Sequence, residues 1–387
     1  MTLHTTRRES RGTPIRVGMI GTYPPRRCGI ASFTHSLVSA LGRQPEVAVG
    51  VVGLIEPGDS PSISCPEVIT EIDPSSRHGI ASASARLNGA DVVIVQHEFG
   101  IYGADDGASV IDLVSQLHCP VVVVLHTVLT DPTPGQRAVI EGLARAADGF
   151  VALSRAARDR LITHYRVEPS RVVVVPHGSS WTVQPPQVPP RRRLLTWGLL
   201  GPGKGIERAI DAIATLDLPG PPVTYRVAGQ IHPMVLARYG DSYMQHLERR
   251  IAAGGLGNQV VFDNRYQDDD DLLRVVAAAD VVILPYDNSQ QVSSGVLTEA
   301  ISAGRPVVAT AFPHAIEMLD GGAGIVVDHD DRTAMSQAIA SLLTDELAYR
   351  RAADAAAAIG ADLGWDAIAR RFTELLAPLA DRSRGIA

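Results

Sequence analysis

The sequence predicts an α/β protein made of two doubly wound domains that face each other across a central cleft. Three observations support this prediction. The chain has 387 residues, which is long for a single domain. Short valine-rich runs alternate with helical segments in both halves, a pattern typical of parallel strands that are buried on both faces. A stretch with four prolines, residues 182–193, separates the halves and has the composition of a stiff linker.

In the first half, strands and helices are expected to alternate as in a parallel sheet. The first strand is residues 15–21, and a helix at 32–42 follows a loop rich in proline and arginine. Further apolar runs predict strands at residues 47–54, 90–99, 119–127, 149–154 and 171–178. Helices are expected at about residues 107–117 and 138–147.

The same pattern restarts after the linker. Apolar runs predict strands at residues 194–200, 223–229, 258–264, 281–284, 306–310 and 324–327. Helical periodicity predicts helices at residues 206–216, 242–253, 272–279, 297–303 and 334–343, with a final helix that carries Trp365. The second half is therefore expected to form a sheet of the same kind as the first.

These elements divide the chain into four parts. We expect a first domain at residues 1–183, a linker at 184–193, a second domain at 194–362, and a C-terminal helix at 363–387 that packs back towards the first domain. Ligands of doubly wound sheets bind beyond the carboxyl ends of the strands. The cleft between the two domains is therefore the expected binding site.

The composition excludes several classes of protein. Hydrophobic residues make up 45% of the chain and charged residues 20%, as in ordinary globular proteins. No apolar run approaches the thickness of a bilayer, and the polar first residues lack the core of a signal peptide. We therefore expect a cytoplasmic protein without membrane insertion. The three cysteines are too few for a disulfide framework, and a formal charge of −7 argues against nucleic-acid partners.

Two acidic runs, residues 268–271 and 328–331, superficially resemble metal ligands. Each run precedes a predicted helix, where acidic side chains are stabilised by the positive end of the helix dipole. We therefore expect no required metal ion.

The segment QQVSSGVLTEA, residues 290–300, lies between a buried strand and a helix. Its Ser293, Ser294 and Gly295 stand where that helix is expected to begin. Unpaired amides and the helix dipole favour an anion there, and small side chains let a phosphate approach the backbone. Glu299, one turn further on, is placed to bind sugar hydroxyls. A serine N-cap beside a solvated glutamate explains these residues equally well.

Lysine occurs once in the chain, at Lys204. It lies in the glycine-rich loop LLGPGKGIERA, whereas arginine supplies the other cationic side chains. This position favours a role for a slim and flexible ammonium group, although a surface lysine retained by chance is the alternative.

The order of these motifs resembles that of the retaining glycosyltransferases of family 4, which have the GT-B fold of two Rossmann-like domains. The family has G-R-L-x-x-x-K-G after the first strand of its second domain, where this chain has Gly198-Leu199-Leu200 and then Lys204-Gly205. The family's E-x7-E segment corresponds to Gln291 and Glu299. The similarity extends from Ile15 to about Trp365.

Two segments of the first half also match the family. The loop at residues 24–30 contains Gly29, and His126 ends a central strand. The segment ADVVIVQHEFG at residues 90–100 is of the kind seen in these proteins. The resemblance therefore covers both domains.

The resemblance implies a hexosyltransferase, with mannosyl or glucosyl transfer favoured. Its donor would be a nucleotide-diphosphate sugar such as GDP-mannose or UDP-glucose, and its acceptor a carbohydrate or small-molecule hydroxyl. It would need no cofactor beyond this co-substrate and no metal ion. The oligomeric state is left open.

The resemblance also assigns roles to individual residues. Lys204 pairs with the diphosphate, Glu299 holds the ribose, and His126 contacts the transferred sugar. The catalytic set is His126, Lys204 and Gln291. The implied donor contacts are Gly29, Lys204, Ser293, Ser294, Gly295, Val296, Glu299 and, near the base, Tyr266.

Two positions depart from the family pattern. Leu199 replaces an arginine and removes a cation expected near the diphosphate, and Arg26 or Arg27 of the facing loop is a candidate to replace it. Gln291 replaces a glutamate and retains hydrogen bonding without the charge. These departures leave two alternatives open: a retaining disaccharide phosphorylase on the same fold, and a non-catalytic protein that binds sugar nucleotides.

His97 and Glu98, at the end of a neighbouring strand, are further candidates for contacts with the substrate. They equally fit a local role in the turn before Gly100. The sequence does not decide between these two readings.

Overall fold

A computed structural model describes residues 13–386, apart from residues 62, 64, 104, 266 and 268. The first domain contains the strands β1 Ile15–Gly21, β2 Val47–Leu54, β3 Val68–Ile72, β4 Val92–His97, β5 Val121–Leu125, β6 Gly149–Ala152 and β7 Val172–Val174. Its helices are α1 Gly29–Gly42, α2 Arg77–Leu87, α3 Ser109–Ser115, α4 Pro134–Ala146 and α5 Arg155–Tyr165.

The second domain repeats this plan. Its strands are β8 Arg193–Trp197, β9 Thr224–Ala228, β10 Val260–Asp263, β11 Val281–Leu284, β12 Val307–Thr310 and β13 Gly324–Val327. The helices are α6 Ile206–Ala214, α7 Pro233–Tyr239, α8 Ser242–Ala253, α9 Asp269–Ala278, α10 Gly295–Ser302, α11 Pro313–Leu319, α12 Arg332–Thr344, α13 Glu346–Gly360 and α14 Trp365–Ile386.

Both sheets are doubly wound. Within the described residues, the strand order is β3-β2-β1-β4-β5-β6-β7 in the first sheet and β10-β9-β8-β11-β12-β13 in the second. All strand pairs are parallel. In each sheet the order reverses beside the first strand of its domain, and such a switch point opens a crevice at the carboxyl ends of the strands. The predicted fold class is therefore confirmed.

The prediction missed the β3–α2 unit of the first domain. β3 is a short edge strand with three partly or fully exposed residues in the middle. α2 has the sequence RHGIASASARL, in which small and polar residues weaken the apolar stripe. Neither element carries the strong periodicity on which the sequence prediction depends.

Two helices begin earlier than the sequence predicted, because a small residue caps each of them. The Cys28 Sγ accepts a hydrogen bond from the Ala31 amide at 3.4 Å, so α1 begins at Gly29. The Ser294 hydroxyl accepts one from the Leu297 amide at 3.2 Å, so α10 begins at Gly295. Both small-residue loops of the prediction thus lead directly into helix N-termini.

The proline-rich segment is held against the second domain by two arginines. The Arg305 side chain is fully buried and donates a hydrogen bond to the Pro185 carbonyl at 2.6 Å. The Arg191 guanidinium lies 3.6 Å from the centre of the Tyr349 ring and pairs with Glu346 at 2.9 Å. These contacts fix the path of residues 185–191 along the second domain.

The chain crosses between the domains twice, and the two crossings run side by side. Ser179 and Gly364 form a parallel bridge. Beyond it, α14 packs on α1, and Ile368, Phe372 and Leu376 are fully buried in the same apolar cluster as Phe33. The last helix therefore completes the core of the first domain.

Candidate active site

The N-terminus of α10 lies at the carboxyl edge of the second sheet, directly after β11. An α-helix leaves its first amides without an intrahelical acceptor. Because the Ser294 hydroxyl takes the Leu297 amide, those of Gly295 and Val296 remain for a ligand. The Ser294 amide already donates to Nδ1 of His314 at 2.9 Å. The Ser294 amide of the predicted cradle is thus engaged within the protein, whereas no hydrogen bond of the Gly295 amide is seen among the described residues.

The side chain of Gln291 is held within its own loop. Its Nε2 donates to the Ser293 carbonyl at 3.0 Å. The main-chain carbonyl of Gln291 accepts a bond from the His314 amide at 3.3 Å. Gln291 therefore shapes the approach to α10.

The loop after β8 brings Lys204 to the same edge. A methyl group on Gly198 would lie 3.7 Å from Cγ2 of Val296, so the loop begins beside α10. The Lys204 Nζ lies 4.5 Å from the centre of the Tyr286 ring. This cation–π contact supports the ammonium group against a buried aromatic surface.

Trp197 orients Glu299. The Trp197 indole Nε1 donates to Oε2 of Glu299 at 3.2 Å. Trp197 is buried and packs against Trp181, with ring centres 5.7 Å apart. The indole consequently holds the carboxylate in place, one helical turn after Gly295.

On the first domain, His126 follows β5 and faces α1. Its Nε2 and Oε1 of Gln96 are 2.8 Å apart, and its ring meets Phe33 edge-on at 4.8 Å. Burial lowers the pKa of His126 to about 3, with smaller contributions from His177 and His97. The imidazole is therefore neutral at pH 7.

His97 and Glu98 lie deeper than the cleft surface. His97 is fully buried, and neither of its ring nitrogens has a hydrogen-bond partner among the described residues. Glu98 accepts bonds from the Thr127 hydroxyl at 2.5 Å and the Phe99 amide at 2.9 Å. Burial raises the pKa of Glu98, against these two hydrogen bonds. The local role of Glu98 in the turn is thus visible in the structure.

The facing loop of the first domain contains Gly29, Arg26 and Arg27. Gly29 is exposed, and a methyl group there would meet no other atom within 4 Å. The Arg26 guanidinium forms an ion pair with Glu56, while Arg27 is exposed. Tyr266, expected near the donor base, lies outside the described residues.

His177 is a further residue of this site and lies beside the N-terminus of α10. A methyl group on Gly295 would lie 3.0 Å from Nε2 of His177. Its ring also meets Phe33 at 5.0 Å and Trp365 at 5.7 Å. In the sequence, the indication that His177 could reach the site is its position just after the last strand of the first domain.

Polar contacts join the two domains beside the site. The Thr130 hydroxyl donates to Oε1 of Gln290 at 2.5 Å, and the Arg160 guanidinium donates to the Gln290 carbonyl at 2.6 Å. Val292 is buried in the apolar cluster of the first domain. The loop before α10 therefore rests on the first domain.

A second interdomain contact joins α11 to α5. The Glu317 carboxylate accepts hydrogen bonds from the amides of Arg155 at 3.0 Å and Ala156 at 3.1 Å. A carboxylate at a helix N-terminus is stabilised by the helix dipole. Glu317 therefore holds the domains together.

Replacing Glu317 by lysine is expected to open the cleft. The substitution places a cation against the positive end of α5 and against Arg155, and it removes up to about 2 kcal/mol of favourable contact. Small-angle X-ray scattering should show a larger radius of gyration than in the wild type. Glu248→Lys, the same change at an exposed position of α8, is the control. Equal radii for Glu317→Lys and wild type would show that this contact does not hold the domains.

The described part of the chain contains no group of three or more His, Cys, Asp or Glu side chains that could hold a metal ion. The Asp331 carboxylate of the second acidic run caps α12 by accepting from the Ala334 amide at 2.7 Å. No helix in this part is both long and apolar enough to cross a membrane.

Comparison with known proteins identifies relatives of both domains. Residues 29–179 match the family model Glycosyltransferase Family 4, and residues 191–345 match Glycosyl transferases group 1. The D-inositol 3-phosphate glycosyltransferase of Streptomyces scabiei is 26% identical over 370 residues, which cover 89% of this chain and 80% of the relative. The protein of the same name from Streptomyces coelicolor is 25% identical, and the match covers 87% of this chain and 80% of that relative.

Solved structures share the architecture. HepE of Anabaena, in complex with UDP and glucose, has a TM-score of 0.72 at 18% identity and covers 94% of this chain and 100% of its own. The sucrose-phosphate synthase of Thermosynechococcus elongatus has a TM-score of 0.73 at 17% identity, and the match covers 94% of this chain and 99% of that protein. Since the two family models together span most of the chain and the fold agrees in both domains, this chain belongs to the family 4 glycosyltransferases of the GT-B fold.

Proposed function

We propose that this protein is a retaining glycosyltransferase that moves a hexosyl group, mannosyl or glucosyl, from a nucleotide-diphosphate sugar to a hydroxyl of a carbohydrate or small molecule. The observation that supports it most is the position of the chain's single lysine, Lys204, at the same sheet edge as the open helix N-terminus at Gly295. Both features stabilise the charge of a diphosphate. The nucleotide sugar is a co-substrate, and the proposal includes no metal ion and no resident cofactor.

Charge stabilisation is the main requirement of this reaction. Negative charge develops on the diphosphate as the glycosidic bond breaks, and preorganised donors are most effective there. Lys204 and the amides of Gly295 and Val296 take this role. In the retaining route we propose, the acceptor hydroxyl attacks from the face that the diphosphate leaves, and its proton passes to the departing phosphate. This route needs no protein nucleophile.

The remaining residues position the donor. Glu299, oriented by Trp197, binds the ribose hydroxyls. His126 is neutral at pH 7 because burial lowers its pKa to about 3, so it positions a sugar hydroxyl by hydrogen bonding. Closure of the two domains excludes water from the reacting atoms.

Transfer assays test the proposal directly. The protein is incubated with UDP-glucose or GDP-mannose and a panel of hydroxyl acceptors. This panel includes D-inositol 3-phosphate, because the relatives are named for it. We expect one donor to be used, the product to keep the anomeric configuration by NMR, and EDTA to leave the rate unchanged. That donor at 100 times its Kd should also stabilise the protein by about 2.7 kcal/mol, seen as a higher thermal midpoint.

The outcomes separate the alternatives. A product with inverted configuration would exclude the retaining route. Transfer from a sugar 1-phosphate, without turnover of any nucleotide sugar, would identify a phosphorylase. Tight nucleotide binding without turnover across the panel would identify a non-catalytic binding protein.

A further inference from the structure

The proposed donor site lacks one of the two cations that the family pattern places near the diphosphate. Leu199 places an apolar side chain in the loop that carries Lys204. Across the cleft, Arg26 is paired with Glu56. Arg27 of the same loop is exposed. His177 offers a second positive group from another element, close to α10.

His177 reaches α10 from the first domain. It follows β7, and its Nε2 would lie 3.0 Å from a methyl group on Gly295, the first residue of α10. The amides that face an anion belong to this same turn. Nε2 of His177 therefore lies beside the turn whose amides would bind a phosphate oxygen.

The hydrogen bond of the other ring nitrogen fixes the tautomer. Nδ1 of His177 lies 2.6 Å from the Gly178 carbonyl. Because a carbonyl oxygen only accepts, Nδ1 carries a proton and donates it. Nε2 is therefore the nitrogen that gains or loses a proton, and it is also the one directed at α10.

Two other histidines lie close to His177, and one ring nitrogen of each is engaged in another contact. His126 of the first domain is paired with Gln96, and Nδ1 of His314 on α11 accepts the Ser294 amide. Burial, and to a smaller extent the charge of His177, lowers the pKa of both His126 and His314 to about 3. No carboxylate among the described residues shifts the pKa of His177, which burial lowers to about 4 while its bond to the Gly178 carbonyl raises it.

We propose that His177 is a donor-binding and catalytic residue that takes up one proton when a nucleotide sugar binds, and that its imidazolium Nε2–H donates to the diphosphate as the second cation of the site. The proposal rests on the proposed function, because a diphosphate at α10 is the anion that stabilises the charged ring. It assigns a chemical role to a residue that otherwise packs at the hinge.

Calorimetry of binding tests the proton uptake. UDP-glucose and GDP-mannose are titrated into the full chain at pH 7 in two buffers of different ionisation enthalpy. Both phosphates of these probes are esterified, so the probes themselves do not titrate near neutral pH. We expect the wild type to take up between about half a proton and one proton. Affinity should fall as the pH rises through the pKa of His177 in the complex, because the bound form holds the extra proton.

Variants assign that proton. His177→Gln keeps a neutral side-chain N–H donor, and we expect it to abolish the uptake and to weaken binding about 10-fold. Exposed His118 provides the matched control, and His118→Gln should retain both the uptake and the affinity. Unchanged thermal midpoints would exclude a folding defect, and if His177→Gln lowers the midpoint, the buffer dependence of the wild type alone decides whether a proton is taken up.

Each result has a clear consequence. Binding without proton uptake in the wild type, or uptake that persists in His177→Gln, overturns the role of His177 and leaves the proposed function standing. Failure of both nucleotide sugars to bind the wild type overturns the proposed function and this proposal together.

Discussion

Replacing Lys204 by methionine is expected to lower kcat/KM for the nucleotide sugar by about 10²–10³. Methionine has a similar length and stacks on an aromatic ring, so the contact with Tyr286 is retained while the charge is lost. Because charge grows on the diphosphate in the transition state, kcat should fall more than KM rises. Steady-state kinetics with the accepted donor measure both constants.

Two further variants make the Lys204 experiment decisive. Lys204→Arg restores a cation in a planar form and should recover part of the lost activity. Arg274→Met removes the same charge from a side chain that is 73% exposed on the second domain, and it should leave turnover unchanged. If Lys204→Met turns over at the wild-type rate, the proposed role of the ammonium group is wrong.

Substituting alanine for Gly205 is expected to destabilise the second domain by about 3 kcal/mol. Gly205 has φ of +65°, and a Cβ there would lie 1.7 Å from the Pro285 carbonyl oxygen. The backbone must move to relieve this overlap. We expect the thermal midpoint to fall by at least about 5 °C and the activity to fall with it, because the same movement displaces Lys204.

Gly203→Ala is a matched control in the same loop. Gly203 also has a positive φ, +92°, but a Cβ there meets no other atom within 4 Å. This change should cost only the backbone strain of about 1 kcal/mol. A Gly205→Ala protein as stable as Gly203→Ala would contradict the close approach to Pro285.

The sequence predicted those parts of the fold whose signal is local. Buried strands such as β5 and β11 are continuous apolar runs, and they identify a parallel sheet without further information. Ser294 and Gly295 were expected at a helix start because capping depends on adjacent residues. The edge strand β3 was missed because its exposed middle residues interrupt the apolar pattern.

The contacts that complete the site could not be predicted in this way. The hydrogen bond between Ser294 and His314 joins residues 20 positions apart, and His177 reaches Gly295 from the other domain. Neither contact produces a periodic pattern of residue types in the sequence. Lys204, in contrast, could be singled out without a structure, because the chain's use of a single lysine is visible in the sequence.

The position of α14 has a consequence for biogenesis. Because the apolar side chains of α14 lie in the same cluster as those of α1 and β1, one side of the core of the first domain is uncovered until α14 has left the ribosome. Domains usually finish folding in the order in which they are synthesised. Here the second domain can be complete while the earlier one still awaits α14, so the nascent protein exposes an apolar face until that helix has been synthesised.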